Sequence, residues 1–134
     1  MVGFSGPPQE VAAGVKENKP VPQYVIEATL INASTIPEPN KTVYPRSYSI
    51  HEYKVDKVLS GDFTGKTLRV AHWTEMNNQL LKAATYKVGQ TVTLTLEPFD
   101  AHPELEQEEV FNTLKQDLDA AQFFDTAPLQ LLPR

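Results

Sequence analysis

Between Tyr48 and Glu97 the chain alternates apolar-patterned runs with glycine turns, and that alternation constrains the fold more than any other feature. Tyr48–Leu59 reads as a strand, Ser60–Gly65 as a turn and Lys66–Trp73 as a second strand. After a short polar link, Tyr86–Gln90 leads into Thr91–Glu97. There Val92, Leu94 and Leu96 alternate with Thr91, Thr93 and Thr95, the period of a half-buried strand. In the strand before it, Leu68, Val70 and His72 point one way, and Arg69, Ala71 and Trp73 the other. Tyr53 and Val55 share a face, but Val58 breaks their phase. A bulge near Asp56-Lys57 restores the inward set, and barrels use such bulges to bend a long strand round a corner. Gly61 and Gly65 punctuate the hairpin, with Asp62 placed to bond its own backbone. The expected fold is mainly β: an antiparallel barrel of four to six strands.

The flanking segments extend this reading. A first strand is expected from about Gln23 to Ala33, with apolar residues on both faces, followed by a proline-interrupted loop from Ser34 to Pro45. Glu75–Ala84 is expected to be a short helix or an irregular crossover that buries Leu80, Leu81 and Ala84. Pro103 suits the first position of a helix, and Glu104, Glu106, Glu108 and Glu109 suit its positive end. Leu105, Val110, Leu114, Leu118 and Ala121 trace a helical stripe, so one C-terminal helix is expected to cap the barrel. The tail Pro128–Leu132 is a candidate edge strand. Residues 1–20, rich in glycine and proline with little apolar periodicity, are expected to be a flexible arm, with a single barrel domain over 21–134.

Composition narrows the partners. The chain has 134 residues, enough for one ordinary domain. Its 12 basic and 17 acidic residues give a net charge of −5, which argues against a phosphate-binding face. With no cysteine, disulfides and thiolate zinc sites are ruled out. No apolar run approaches the roughly 20 residues needed to cross a bilayer. The start, Met1–Pro8, lacks the basic and apolar regions of a secretory leader, so an exported form is expected to have had its leader removed. Asn32-Ala-Ser34 and Asn40-Lys-Thr42 fit the short glycosylation pattern.

Two resemblances follow from particular segments. Glu52–Val70, with Tyr86–Gln90 and Thr93–Leu96, resembles the OB-fold domains of the netrin/TIMP-like type, without the cysteines of the animal members. These are turn and core residues covering about half the chain, and they imply an OB-like barrel rather than a chemistry. Val70-Ala-His-Trp73 and Leu96–Leu105, with the acidic and aromatic stretch Asp117–Asp125, look like a bacterial domain found beside alginate-type O-acetyltransferases of the SGNH-like kind. The nucleophile motif of those enzymes is not in this chain. The resemblance implies an accessory or binding role in exopolysaccharide modification, outside the cytoplasm, with a polysaccharide or a protein as partner.

Read from the residues alone, three sites compete. Tyr53, His72 and Trp73 form a candidate ligand-binding set, because an aromatic at a barrel mouth can stack on a sugar or on a partner's side chain; the bland alternative is that Trp73 plugs the barrel as core. Glu97, Asp100, His102 and Glu104 put four ionisable groups within eight positions, so with His72 they make an alternative acid–base or metal-dependent hydrolase. There the bland alternative is helix capping. His51 and His72 can meet across adjacent strands, with Glu52 or Glu97 as a carboxylate, but the histidines follow no metal-ligand spacing. No catalytic residue, metal or cofactor is assigned on this reading. Arg46, Lys54, Lys57, Lys66, Arg69 and Lys82, with Tyr48 and Tyr53, are a minor candidate for single-stranded nucleic acid. The reading taken forward is a non-catalytic binding module.

Overall fold

The computed structural model describes residues 20–41 and 43–132; the arm expected at 1–20 lies, apart from Pro20, outside the described residues. Among the described residues seven strands form one sheet: β1 (Tyr24–Asn32), β2 (Ser47–Ser60), β3 (Thr67–Met76), β4 (Gln79–Leu80), β5 (Thr91–Pro98), β6 (Glu109–Phe111) and β7 (Gln122–Asp125). Five of them close a ring in the order β1-β2-β3-β7-β5 and back to β1. β4 extends β3 as a hairpin, and β6 lies parallel to β2.

The barrel expectation holds, with two corrections. First, the ring is mixed. β3 and β7 run parallel, while β1–β2, β2–β3, β1–β5 and β5–β7 are antiparallel. Five strands cannot alternate direction all the way round a closed ring, so one neighbouring pair must be parallel.

Second, there is no C-terminal helix among the described residues. Pro103–Gln107 forms a five-residue 3-10 turn, and the chain then makes β6 and β7. Of the supposed helical stripe, Leu105 is buried, but Val110 is exposed and Leu118 is 88% exposed. The segment holds Asn112, Thr113, Asp117 and Asp119, weak helix formers. It gains more from the barrel. Gln122–Asp125 hydrogen-bonds on both sides, to β3 and β5, and buries Phe123 inside and Phe124 outside.

Other details follow the sequence closely. The expected bulge sits at Asp56, since Ala28 faces Val55 while Glu27 faces Lys57. Asp56 accepts a hydrogen bond from Thr29 Oγ1 at 2.6 Å, which fixes the bulge. Glu75–Ala84 is neither a regular helix nor a plain crossover. β3 runs on to Met76, and Asn77 and Asn78 both take positive φ, 54° and 62°, between the paired residues Met76 and Gln79. Two left-handed residues make the two-residue turn whose twist matches a hairpin, and asparagine tolerates that conformation. A 3-10 turn over Lys82–Thr85 follows, with Leu81 and Ala83 buried. In the tail, Leu131 bridges to Leu81, so part of the expected edge pairing forms.

The apolar residues divide into two clusters. Ile26, Leu30, Tyr53, Leu68, Val70, Leu94, Leu96 and Phe123 fill the barrel. Tyr48, Ile50, Ala71, Leu105 and Phe124 pack outside it, with Trp73, Phe99 and Leu114 against them. β2 and β3 are therefore buried on both faces over much of their length.

Candidate functional site

The inner faces of β2 and β3 carry polar side chains at one level of the barrel. In the β2–β3 register Ser49 faces His72 and His51 faces Val70, so the two histidines are diagonal neighbours on one face. Their rings are 5.6 Å apart, and both side chains are fully buried. The sequence expectation that adjacent strands join them holds. The carboxylate that serves them is Asp125, not Glu52 or Glu97: His72 Nδ1 lies 2.8 Å from Asp125 Oδ2. The other nitrogen, Nε2, is 2.7 Å from the Tyr53 hydroxyl.

Proton positions in this chain of groups follow from chemistry. An ionised carboxylate only accepts, so His72 carries its proton on Nδ1 and donates to Asp125. Nε2 is then an acceptor and takes the Tyr53 O–H. Burial, with Tyr86 and Asp125 adding to it, holds the Tyr53 phenol well above its ordinary pKa, so it remains a donor. His51 is set the other way. Its Nδ1 accepts the Ser34 backbone N–H at 3.1 Å, which leaves the proton on a buried Nε2 that has no partner. Burial and the neighbouring His72 push its pKa down to about 4.

Every imidazole lone pair in this layer is committed to a donor, so neither ring offers a nitrogen to a metal ion. Among the described residues no three His, Asp or Glu side chains are grouped to hold one.

Asp125 joins this layer to the surface. It lines a cleft of about 240 Å³ together with Trp73, Tyr86, Lys82, Thr93 and Gln130, floored by Leu81 and Ala83. Its second oxygen accepts the Ala127 N–H at 2.9 Å, so the carboxylate is held at both ends. Tyr86 meets the His72 ring edge-on at 5.6 Å, and burial with the nearby Asp125 raises its pKa. Trp73 is half-buried. Tyr48 packs edge-on to it at 5.8 Å, and Arg46 lies over its ring at 5.9 Å, fixed in turn by two bonds to Glu108.

Of the three residues expected to bind ligand, Trp73 thus reaches a cleft. Tyr53 and His72 lie behind it, fully buried, as supports for Asp125. Sequence reasoning missed Asp125, Tyr86 and Gln130. Asp125 lies 53 residues from His72, and only the β7 pairing brings it there.

The alternative polar set assembles in part. His102 Nε2 is 2.7 Å from Glu97 Oε1, and Nδ1 is 2.9 Å from Glu104 Oε2. That hydrogen bond lowers the Glu104 pKa. Asp100 is exposed in the 3-10 turn before them. Both nitrogens of His102 face carboxylates, a pairing satisfied in full only when both carry protons. His72 belongs to the other cluster.

Of the six basic residues of the nucleic-acid candidate, three are in ion pairs: Arg46 with Glu108, Lys54 with Asp56 and Arg69 with Glu52. Tyr48 and Tyr53 are buried, so neither ring offers a face to a base. No helix among the described residues is long and apolar enough to cross a membrane.

Comparison with family models, with curated proteins and with solved structures returned no match to this chain.

Proposed function

We propose that this chain is a non-catalytic binding module, an OB-type barrel whose cleft between Trp73 and Tyr86 seats one sugar ring of a polysaccharide. The observation that carries the reading is that Trp73, Tyr86 and a fixed carboxylate line one small cleft. A pyranose has an apolar face for an indole and a rim of hydroxyls for hydrogen bonds. Asp125 supplies an acceptor whose direction is set by His72 and the Ala127 N–H. Lys82, Thr93 and Gln130, which line the same cleft, supply donors. At about 240 Å³ the cleft is below the roughly 300 Å³ lower end of sites for drug-sized ligands, which suits one ring of a longer chain. The five-strand closure supports the OB-type description. A setting outside the cytoplasm, in exopolysaccharide modification, belongs to the same proposal through the resemblance of Val70–Trp73 and Leu96–Leu105.

The test is a titration of the protein with a panel of neutral and acidic hexasaccharides, followed by Trp73 emission. The expected result is a saturable change with at least one sugar. Read by calorimetry, because Trp73 is the only indole, binding should be lost in Trp73→Ala and weakened about tenfold in Asp125→Asn, the loss of one charge-assisted hydrogen bond. No saturable change up to roughly 10 mM sugar, the millimolar limit of useful affinity, would overturn the reading.

A further inference from the structure

A second cleft, of about 350 Å³, lies where the end of β1 and the outer faces of β2 and β3 meet residues 113–115. Its walls include Asn32, Glu52, Arg69, Thr113, Leu114 and Lys115, with no aromatic side chain. Arg69 is central: its side chain is only 7% exposed, an expensive place for a permanent cation. Two of its five N–H groups are used inside the protein. Nε donates to Glu52 Oε2 at 3.2 Å, and Nη2 donates to the Lys115 carbonyl at 2.7 Å.

The remaining N–H groups, two on Nη1 and one on Nη2, have no acceptor among the described residues. Nη1 is not sealed in either. The only buried side-chain polar atoms without partners among the described residues are His51 Nε2 and Glu75 Oε2. The free side of the guanidinium therefore opens into the cleft. The other oxygen of Glu52 is turned to Asn32, whose Nδ2 donates to it at 2.7 Å. Arg69 and Lys115 set two positive charges against the one negative charge of Glu52, in a chain whose net charge is −5.

We propose that this second cleft is a binding site for a single carboxylate on a small polar ligand. A planar guanidinium with a free edge matches a carboxylate through two parallel hydrogen bonds. The local excess of one positive charge suits a monoanion better than a phosphate dianion. Thr113 and Asn32 can meet hydroxyls beside the carboxylate, and Leu114 supplies one apolar wall. The site is separate from the Trp73 cleft and does not depend on the sugar reading of it. The carboxylate can belong to a sugar acid or to a simple carboxylic acid.

The experiment is a titration of the full chain with D-glucuronate and with propionate at low salt, with glucose as the uncharged control. It is followed by the backbone amide signals of Asn32, Thr113 and Lys115 and by the Arg69 Nε–H signal, which a purely structural arginine would not move. Saturable shifts are expected with the carboxylates and none with glucose. Lys115→Ala, an exposed change, should weaken binding roughly threefold, as loss of one surface charge does. Arg69→Lys keeps the charge but loses the planar fork, and should weaken it at least about tenfold. Glucuronate several-fold tighter than propionate identifies a sugar acid; equal affinities identify a simple carboxylic acid. Absence of saturable shifts, or affinities unchanged in both variants, overturns the proposal.

Discussion

Acid should weaken this protein through one buried histidine. His51 is fully buried, accepts the Ser34 N–H at Nδ1, and has a pKa pushed down from 6.5 to about 4 by burial and by His72. The folded state thus resists the charged form while the unfolded chain does not. The sign follows: His51 is neutral in both states above the unfolded pKa of 6.5, and stability is lost as pH falls from there towards 4. At pH 7.5 the two states differ almost nothing in proton uptake. By pH 5 the unfolded chain has gained most of a proton that the folded one still refuses. The integrated difference is about 2 kcal/mol, at about 1.4 kcal/mol per pKa unit. That is a large part of the roughly 5–15 kcal/mol that holds an ordinary domain together.

Urea unfolding at pH 7.5 and at pH 5.0, for the wild type and His51→Asn, measures it. The asparagine Oδ1 can replace Nδ1 as acceptor for Ser34 but cannot titrate. The variant should start lower, by about 1–3 kcal/mol for the lost volume, and lose much less on acidification. The double difference removes His72, Tyr53, Asp125 and His102, which are present in both proteins. Glu104, whose pKa is lowered by its hydrogen bond to His102, is likewise present in both proteins and cancels. If the two proteins lose stability equally over this interval, to within about 0.5 kcal/mol, His51 is not the buried neutral group described above.

Two glycines give a paired test of backbone against space. Gly61 has φ +94°, and an added Cβ would sit 2.6 Å from the Tyr24 ring and 2.9 Å from the Gln23 carbonyl; Gly89 has φ +96° with nothing within 4 Å. Gly89→Ala should cost about 1 kcal/mol by urea midpoint and Gly61→Ala about 1–3 kcal/mol more, so equal costs would show that the contact at Gly61 relaxes freely. Trp73, half-buried beside its cleft, should be quenched by acrylamide to an intermediate degree, and an unquenchable, strongly blue-shifted emission would place the indole in the core and remove it from the cleft.

How much of this was legible in the sequence differs from strand to strand. β5 was plain, because one face is buried and the other is wet, so Thr and Leu alternate. β3 was readable in phase, since Leu68, Val70 and His72 do face inward and Ala71 and Trp73 outward. Its burial was not readable, because both faces are covered and polarity no longer marks the outside. β7 left no periodic signal at all. It has four residues, and Phe123 and Phe124 are both buried, on opposite sides. The glutamates after Pro103 imitated a helix start, and the approximate stripe from Leu105 to Ala121 imitated its buried face, although Val110 and Leu118 are exposed. The Asn77-Asn78 turn was a signal that went unread. For the site, Trp73 and the meeting of the histidines were legible from strand phase. Asp125 was not, since nothing local says that residue 125 ends beside residue 72.

What places Asp125 there is the one parallel pair that an odd ring requires, and this leads to a final prediction. In the β3–β7 register Arg69 faces Gln122, Val70 faces Phe123 and Ala71 faces Phe124, so the next step brings Asp125 level with His72. An antiparallel β7 would carry its carboxylate towards the other end of β3. With Asp125 on Nδ1, His72 must hold its proton there. With a backbone N–H on Nδ1, His51 must hold its proton on Nε2. Two imidazoles 5.6 Å apart are therefore fixed in opposite tautomers by their partners. Long-range proton–nitrogen NMR at pH 7.5 reads this directly. His72 should show a protonated Nδ1 and a bare Nε2, and His51 the reverse. In Asp125→Ala the constraint on His72 is removed and its signals should move towards a mixture, while those of His51 stay where they are. A wild-type His72 with its proton on Nε2 would break the chain from Tyr53 to Asp125. The carboxylate would then lose the support that aims it into the cleft.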